Sequence, residues 1–362
     1  MTDRVLTFTN KNGELESYKE GIYFSLPFEK YLDIQCLSSS GIKNLLISPT
    51  DFWSRSHMNP LGGEWDQESQ AKIEGRAYHK RILEGSEEFY RVYAPKYEDD
   101  GDPKMIRTID DMAAHLKKIG LPASFKKKSE GAGRIISADP TARIMYLEEE
   151  AHKAKYPDRE FISAKTIRYM EFAARLIESD PQINTYFIGG HHEVAVIWYD
   201  DDYGAWFKVR FDYLKVGPAG DFKTFANIME KQIHKAVYNA MASRRYNIQA
   251  ALYLVGNDVG KRLAGEGKVF GYKGDPKWLE AYSKTPCEEF RYIFQQKGIS
   301  PVAIGGRLLK NSKIYQDGIS KVAEAVETYR KFTEQFGTDM WITSTTPILF
   351  DHSELPSYSE DL

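Results

Sequence analysis

Apolar and polar residues alternate across residues 192–216, HEVAVIWYDDDYGAWFKVRFDYLKV, and the polar segment DDDYG interrupts the alternation. A period of two is typical of β-strands, and a short interruption rich in Asp and Gly is typical of a turn. We therefore predict a β-hairpin in this region. The GPAG segment that follows is predicted to turn the chain into a further short strand, DFKTF, at residues 221–225.

Apolar residues recur at helical spacing in several other segments. In residues 37–53, LSSSGIKNLLISPTDFW, Ser39 or Ser40 can cap a helix. The inner face of that helix carries Ile42 and Leu45. Further helices are predicted at about 67–84, 139–155, 163–179, 229–255 (ending at the segment GND) and 312–335, and further strands in EEFRYIFQQK and PVAI.

Two segments show less regular patterns. Residues 1–35 read as mixed and loop-like, apart from a short strand near 21–25. Residues 97–135 contain a short helix, IDDMAAHLKKIGL, and then a Lys- and Gly-rich stretch that includes the three lysines at 126–128. A solvated basic loop is the simplest interpretation of this excursion, and a small helical DNA-binding element is the alternative.

These patterns predict an α/β (α+β) protein with a central mixed β-sheet flanked by helices. We expect an N-terminal extension over residues 1–36 and a single domain over residues 37–362 that contains the excursion. The chain has 362 residues, of which 42% are hydrophobic, so it is large enough to bury a substantial core.

Charge and cysteine content narrow the classes of function. The net charge of −3 creates no strong overall attraction to nucleic acid, although a local basic channel remains compatible with it. The two cysteines, Cys36 and Cys287, lie far apart, which excludes a cysteine zinc motif and a four-cysteine iron–sulfur cluster. The apolar runs are too short to span a bilayer, and the N-terminus lacks an apolar signal. We expect a cytoplasmic protein with reduced thiols and no membrane contact.

Acidic residues and a lysine interrupt the predicted strands. Asp212 lies near the end of the second strand of the hairpin, and Asp221 and Lys223 lie in the strand that follows. Residues i and i+2 of a strand share a face, so we expect Asp221 and Lys223 on one side of the sheet and Phe222 on the other.

Two more residues complete a candidate constellation. Glu193 begins the first strand of the hairpin, and His79 lies beside the apolar stripe of the helix predicted at 67–84. Three carboxylates on neighbouring strands repel each other unless a cation neutralises them, and Mg²⁺, with Mn²⁺ as an alternative, prefers such oxygen ligands. Lys223, the only cation expected on this face, would then lie beside an attacked phosphate. The simpler alternative is a turn-forming Asp followed by a salt-bridged edge strand.

The order of these motifs resembles that of the PD-(D/E)xK nuclease superfamily. It is more closely similar to the exonuclease VIII (RecE-type) recombination nucleases and related phage exonucleases. The matching stretches follow the order of that family from about residue 37 to 254. They are LSSSGIKNLLISPTDFW, EGRAYHKRILEGSEEFY, HEVAVIWYDDDYGAWFKVRFDYL, DFKT and YNIQAALYL.

The resemblance implies a role for each matched residue. His79, Asp212 and Asp221 would lie at the metal, and Lys223 would act in catalysis beside the two aspartates. Gln249 and Tyr253 match a Q-x-x-x-Y helix motif, which in these relatives lies beside the site and the DNA. Without the resemblance, this pair fits equally well on a half-buried amphipathic helix face.

The function implied by the resemblance is an Mg²⁺-dependent DNA exonuclease. It would hydrolyse phosphodiester bonds at double-stranded DNA ends in phage or prophage recombination. A non-catalytic DNA-end-binding scaffold and an endonuclease of the same chemistry remain alternatives. A homo-oligomer is expected, and a single-strand annealing protein is a further candidate partner.

Overall fold

The structure is a computed structural model that describes residues 4–10, 12–60, 69–298 and 300–343. The strands in this part of the chain are β1 (Val5–Thr9), β2 (Leu15–Lys19), β3 (Gly21–Tyr23), β4 (Tyr93–Pro95), β5 (Glu160–Ile162), β6 (His191–Asp200), β7 (Ala205–Leu214), β8 (Ala219–Phe225), β9 (Val269–Phe270), β10 (Glu289–Gln296) and β11 (Ala303–Leu309).

The helices lie between these strands, and a π-helical turn, Lys80–Glu84, follows the fourth helix. The α-helices are α1 (Phe28–Asp33), α2 (Ser39–Leu45), α3 (Pro49–Arg55), α4 (Gln70–His79), α5 (Gly85–Val92), α6 (Ile109–Lys118), α7 (Lys128–Ala138), α8 (Met145–Ala154), α9 (Ala164–Ser179), α10 (Ile233–Ser243), α11 (Tyr246–Gly265), α12 (Pro276–Lys284) and α13 (Lys313–Phe336).

A seven-stranded mixed sheet organises the fold, in the order β11-β10-β8-β7-β6-β3-β9. The β8–β10 and β3–β9 pairs are parallel, whereas the other neighbours in this sheet are antiparallel. The predicted hairpin is β6–β7, with its turn at residues 201–204, and the two later predicted strands are β10 and β11. The predicted fold class, a central mixed sheet flanked by helices, is confirmed.

Apolar side chains cover both faces of the central sheet, which explains why its inner strands contain long apolar runs. One face carries Val194 and Val196 and packs against residues of α2, α11 and α13. The opposite face is covered in two patches. Phe222 and Ile293, on β8 and β10, pack with side chains of α4 and α9, while the β1–β2 ribbon covers Ile197 on β6.

Helix α11 runs against the sheet at close range, and two glycines permit this contact. A Cβ atom at Gly256 would lie 2.6 Å from Val209 Cγ2, and one at Gly260 would lie 2.7 Å from the hydroxyl of Tyr282. Both separations are shorter than packed atoms allow, so glycine is required at these positions for steric reasons.

The prediction of one helix over residues 229–255 is wrong in two respects. The chain forms α10 and α11 instead, and Arg245 separates them in the left-handed region with a φ of 49°. Helix α11 also continues to Gly265, through the GND segment that was expected to end it. The glycines there serve close packing of the helix rather than its termination.

Three further predictions about local structure need correction. Strands β1 and β2 pair in antiparallel fashion, stabilised by stacking of Phe8 on Tyr18, where a loop-like segment was expected. Ser38, not Ser39 or Ser40, caps α2, since its Oγ accepts a hydrogen bond from the backbone N–H of Gly41. The helix predicted at 67–84 begins at Gln70 and passes into the π-helical turn, and residues 67–68 lie outside the described residues.

The excursion predicted at 97–135 belongs to a larger helical insertion, defined here as residues 96–159, between the paired strands β4 and β5. Its helices α6, α7 and α8 enclose an apolar cluster of their own, which includes Met112, Leu116 and Ile135. The interpretation as a solvated loop is therefore wrong, because the Gly-rich stretch forms α7 and packs its small residues inward. The division of the chain into domains stays a prediction.

None of the described helices combines the length and the apolar character that a membrane span requires.

Candidate active site

The first carboxylate of the site, Asp212, lies where two strands separate. Strands β7 and β8 pair only through Tyr213 with Gly220 and Leu214 with Ala219. Beyond these pairs, Asp212 Oδ2 accepts a hydrogen bond from the backbone N–H of Phe222 at 3.0 Å. The side chain thus satisfies a backbone donor that the strand ladder leaves free, which explains how β7 accommodates an acid.

The second carboxylate, Asp221, is almost completely buried, with 1% of its surface exposed. Gln249 Nε2 donates a hydrogen bond to Asp221 Oδ1 at 2.8 Å. Asp221 Oδ2 lies 2.6 Å from Lys223 Nζ, in an ion pair that lacks the alignment of a hydrogen bond. The predicted shared face of Asp221 and Lys223 is therefore present in the structure.

The neighbouring residue Phe222 points to the other face of β8, where it meets the helix that carries the histidine. The rings of Phe222 and His79 pack edge to face, with centroids 5.4 Å apart. His79 Nδ1 lies 3.4 Å from Asp212 Oδ2, so the histidine reaches the first carboxylate past the edge of β8. His79 is the last residue of α4, directly before the π-helical turn.

Burial dominates the electrostatics of the two carboxyl groups. It raises the pKa of Asp212, although the charge of Lys223 and the hydrogen bond from Phe222 oppose this change. Burial and the charge of Asp212 together raise the pKa of Asp221 to about 6. Two carboxylates that perturb each other in this way favour a bound cation, since a cation removes both the repulsion and part of the desolvation cost.

The two basic side chains of the site respond in opposite directions. Burial and the nearby charge of Lys223 lower the pKa of His79 to about 4, so this imidazole is neutral at neutral pH. Burial alone would lower the pKa of Lys223, but the charges of Asp221 and Asp212 outweigh it and raise that pKa. Lys223 is therefore a cation held by the acids in the ligand-free protein.

Helix α11 contributes to the site along one face, and Tyr246, Gln249 and Tyr253 make different contacts there. Gln249 contacts Asp221 directly, and the ring centroid of Tyr246 lies 5.2 Å from Lys223 Nζ. Tyr253 is 8% exposed and packs edge to face on Phe211 in the apolar cluster. The structure thus brings Gln249 into the site and places the ring of Tyr253 in the core behind it.

Glu193 lies near the acids without joining them. Its backbone has a φ of 56°, and its carboxylate forms an ion pair with Arg210 at 2.8 Å. Among the described residues, no group of three or more His, Cys, Asp or Glu side chains is arranged to hold a metal ion. The structure therefore does not assemble His79, Glu193, Asp212 and Asp221 as one preformed set, although His79 lies 3.4 Å from Asp212 and the charge of Asp212 acts on Asp221.

Lys43 is a residue of the site that the sequence-based reasoning missed, and the expectation that Lys223 would be the only cation near the acids is wrong. Lys43 Nζ lies 5.3 Å from the ring centroid of Tyr246, at nearly the same distance as Lys223 Nζ. The charges of Lys223 and Asp221 both affect its pKa. A lysine directly after a core-facing Ile42 in a short helix was the available signal, but only tertiary packing shows where it points.

The acid pair passes a chemical test for a hard divalent cation. Mg²⁺ is held in proteins by one or two carboxylates together with water and substrate oxygens. Asp212 and Asp221 supply two carboxylates on adjacent strands, both with raised pKa values, and Asp221 Oδ2 lacks an aligned hydrogen-bond donor. These residues therefore fit such an ion.

Comparisons with known proteins give little further guidance. No protein-family profile matches the chain, and no curated protein sequence matches it. One similar solved structure is a protein described as a "putative exonuclease" from Eubacterium rectale, with 16% sequence identity, covering 85% of this chain and 87% of that chain. The TM-score is 0.42, and similarity at this level does not establish a common fold.

Proposed function

We propose that the protein is a metal-dependent deoxyribonuclease that hydrolyses phosphodiester bonds at the ends of double-stranded DNA. The observation that carries this proposal is the grouping of the buried Asp221 with the partly buried Asp212 and Lys223 at the point where β7 and β8 separate. The pattern resembles the D…D-x-K arrangement of PD-(D/E)xK nucleases. Phage or prophage recombination is the setting that the resemblance favours.

Asp212 and Asp221 would hold Mg²⁺, with Mn²⁺ as the alternative. When bound, the ion supplies Lewis acidity that stabilises negative charge on a phosphate. Gln249 fixes the orientation of Asp221 through the hydrogen bond to Oδ1, which leaves Oδ2 facing Lys223. The protein thus presents one carboxylate oxygen in a defined position without further rearrangement.

Lys223 orients the nucleophile in this proposal. Hydrolysis requires a water oxygen to form a bond to phosphorus while a P–O bond to the neighbouring nucleotide breaks. The ammonium group of Lys223, 2.6 Å from Asp221 Oδ2, has further donors available for a water or for a phosphate oxygen. Neutral His79 beside Asp212 adds no second positive charge on that side of the site.

Two alternative functions are compatible with the same site. A DNA-end-binding scaffold would retain the fold without turnover, and an endonuclease would cut within the duplex by the same chemistry. The buried, mutually repelling acids favour catalysis over a scaffold, since a scaffold has no use for their desolvation cost. A homo-oligomer and a single-strand annealing partner remain part of the proposal.

A digest of linear and closed circular duplex DNA, with Mg²⁺ or with EDTA, tests the proposal. We expect linear DNA to be degraded from its ends only with Mg²⁺ and circular DNA to persist. Cleavage of the circle would favour an endonuclease. Binding of ends without any cleavage, in both Mg²⁺ and Mn²⁺, would favour the scaffold.

A further inference from the structure

Lys43 is the most unusual basic residue near the site, because its charge lacks a compensating partner. Within the described part of the chain, its ammonium group forms neither an ion pair nor a hydrogen bond, and its one close contact is the ring of Tyr246. Burial lowers its pKa to about 8; the charge of Lys223 adds to this effect, and the charge of Asp221 opposes it. An isolated, partly desolvated ammonium is costly unless a ligand offsets it.

The local fold holds Lys43 in this position. Helix α2 buries Ile42 and Leu45 in the apolar cluster shared with α11, and this packing anchors the helix that carries Lys43. Ser38 caps the helix and sets its first turn. Lys43 is therefore presented by a packed element rather than by a mobile surface chain.

Two arginines extend the positive charge beside Lys43. Arg244 and Arg245 lie in the break between α10 and α11, directly before Tyr246, and their charges also act on the pKa of Lys43. Both arginines are exposed, and neither has an ion-pair partner among the residues that the structure describes. Unpaired cations that lie close together attract an anion with several oxygens.

The two lysines at Tyr246 differ in what they can bind. Lys223 is committed to Asp221, whereas Lys43 has no carboxylate partner. We propose that Lys43, with Arg244 and Arg245, forms a phosphate subsite beside the acid pair that holds the nucleic-acid strand through a phosphate group other than the scissile one. Lys43 is a positioning residue in this arrangement, and the inference rests on the proposed nuclease function.

The test compares three variants in duplex binding. Lys43→Met keeps the length of the side chain and removes its charge, Lys43→Arg keeps the charge, and Lys331→Met is a matched control on the exposed face of α13. With short blunt duplex DNA and Ca²⁺, we expect Lys43→Met to weaken binding about tenfold and to lower the salt dependence of log Kd by about one charge. Lys43→Arg should keep most of the wild-type affinity and salt dependence, and Lys331→Met should equal wild type in both.

Single-turnover cleavage separates positioning from chemistry. With Mg²⁺ at saturating protein, Lys43→Met should cleave at the wild-type rate, so that its defect appears in KM and not in kcat. Its melting temperature should equal or exceed that of wild type, since an uncompensated charge is removed. If Lys43→Met fails to fold, Lys43→Gln replaces it in every measurement.

Chemically modified duplexes identify the phosphate. Single neutral methylphosphonate linkages near the end should weaken binding by wild type at one position, and that position should no longer matter in Lys43→Met. If 5′-hydroxyl ends abolish the difference between wild type and Lys43→Met, the phosphate is the terminal one; if the difference persists, the phosphate is internal. Equal affinity and equal salt dependence of Lys43→Met and Lys331→Met would overturn the subsite while leaving the nuclease proposal intact. A wild-type protein that neither binds nor cleaves any duplex would overturn both.

Discussion

Lys208, which is buried, and Lys223, which is mostly buried, lie on adjacent strands of the central sheet, and their partners differ completely. Lys208 Nζ donates hydrogen bonds to the backbone carbonyls of Tyr31, Leu32 and Ile34, at 2.7, 3.1 and 2.7 Å. Lys223 Nζ has one close partner, the carboxylate of Asp221 at 2.6 Å. All three donors of Lys208 are used, whereas donors of Lys223 remain available for a ligand.

The position of Lys208 explains its three carbonyl partners. Helix α1 ends at Asp33, and its last carbonyls have no partner within the helix. Lys208 reaches them from β7 and therefore acts as a C-terminal cap in favourable alignment with the helix dipole. Lys261 repeats the arrangement on α11, since its Nζ donates to the carbonyls of Val216 and Tyr282.

The comparison shows that burial of a lysine does not by itself indicate a functional site. What distinguishes the two is whether the surrounding groups satisfy the ammonium completely. Carbonyl groups fix Lys208 and leave it nothing to bind, while a carboxylate with a raised pKa holds Lys223 in a cleft with unused donors. Substitutions at the two positions should therefore affect different properties of the protein.

The largest effect is expected at the acids that give Lys223 its partner. Asp212→Ala or Asp221→Ala should abolish Mg²⁺-dependent cleavage, because the candidate metal site then keeps a single carboxylate. The melting temperature in EDTA should stay close to that of wild type, since relief of the repulsion between the acids offsets the loss of the hydrogen bond from Phe222 or of the ion pair with Lys223. Measuring both on the same preparation provides the control. Near-wild-type cleavage by either variant would show that the acids are not the active site.

The next effect concerns Lys223 itself. Lys223→Ala should lower single-turnover cleavage in Mg²⁺ by about two orders of magnitude or more, the usual range for losing a positioned acid–base or electrostatic group. Binding of duplex ends in Ca²⁺ should stay close to wild type, the reverse of the pattern expected for Lys43→Met. Lys223→Arg should not restore the rate, because a planar guanidinium neither fits nor deprotonates like an amine. Weak binding combined with normal cleavage at saturating protein would instead identify Lys223 as a phosphate anchor.

The sequence singled out Lys223 by its spacing from Asp221, but it did not show that Lys208 is a buried lysine with a structural role. Lys208 occurs in WFKVR and Lys223 in DFKTF, so both follow a phenylalanine in an apolar strand. The spacing of Asp221 and Lys223 was predictable because it depends only on the two-residue repeat of a strand. The carbonyl partners of Lys208 lie more than 170 residues away along the chain, and no local pattern encodes them.

The difference between local sequence patterns and long-range contacts also separates the correct from the incorrect predictions about the fold. The β6–β7 hairpin follows from local alternation and was predicted, whereas the length of α11 depends on the contact between Gly256 and Val209 across the core. The position of Lys43 beside Tyr246 depends in the same way on how α2 packs against α11. Long-range packing determines these features, and a single sequence does not show it.

A stability effect is expected at Lys208. Lys208→Met should lower the free energy of unfolding by about 3 kcal/mol, because two buried carbonyls and one partly buried carbonyl lose a charged donor. The turnover of the molecules that remain folded should equal that of wild type. Denaturant titration and single-turnover cleavage measure the two properties, with Lys331→Met as the control for an exposed lysine. A Lys208 variant with normal stability and impaired cleavage would contradict the assignment of Lys208 as a structural lysine.

The smallest effect is a pH dependence of stability that arises at Asp221 when no divalent ion is bound. Its pKa is raised by burial and by Asp212 from an ordinary value of 3.8 to about 6, so the folded state holds this proton more tightly than the unfolded state does. The corresponding stability is fully present below pH 3.8 and is lost as pH rises through 6. Its size is roughly 2–3 kcal/mol, because the raised pKa already includes the opposing effect of the ion pair with Lys223.

His79 acts in the opposite direction over the same range. Burial and the charge of Lys223 lower its pKa to about 4, so its contribution to stability is present above its unfolded pKa of 6.5 and is lost as pH falls through 4. The prediction therefore concerns the difference between wild type and Asp221→Asn in EDTA, measured by denaturant titration from pH 4 to pH 7. Wild type should lose stability relative to the variant as pH rises, and Mg²⁺ at pH 7 should restore it by binding the folded state. A difference that does not vary with pH would show that the pKa of Asp221 is not raised. The contrast between Lys208, which carbonyl groups satisfy completely, and Lys223, which a carboxylate with a raised pKa holds, would then lose its physical basis.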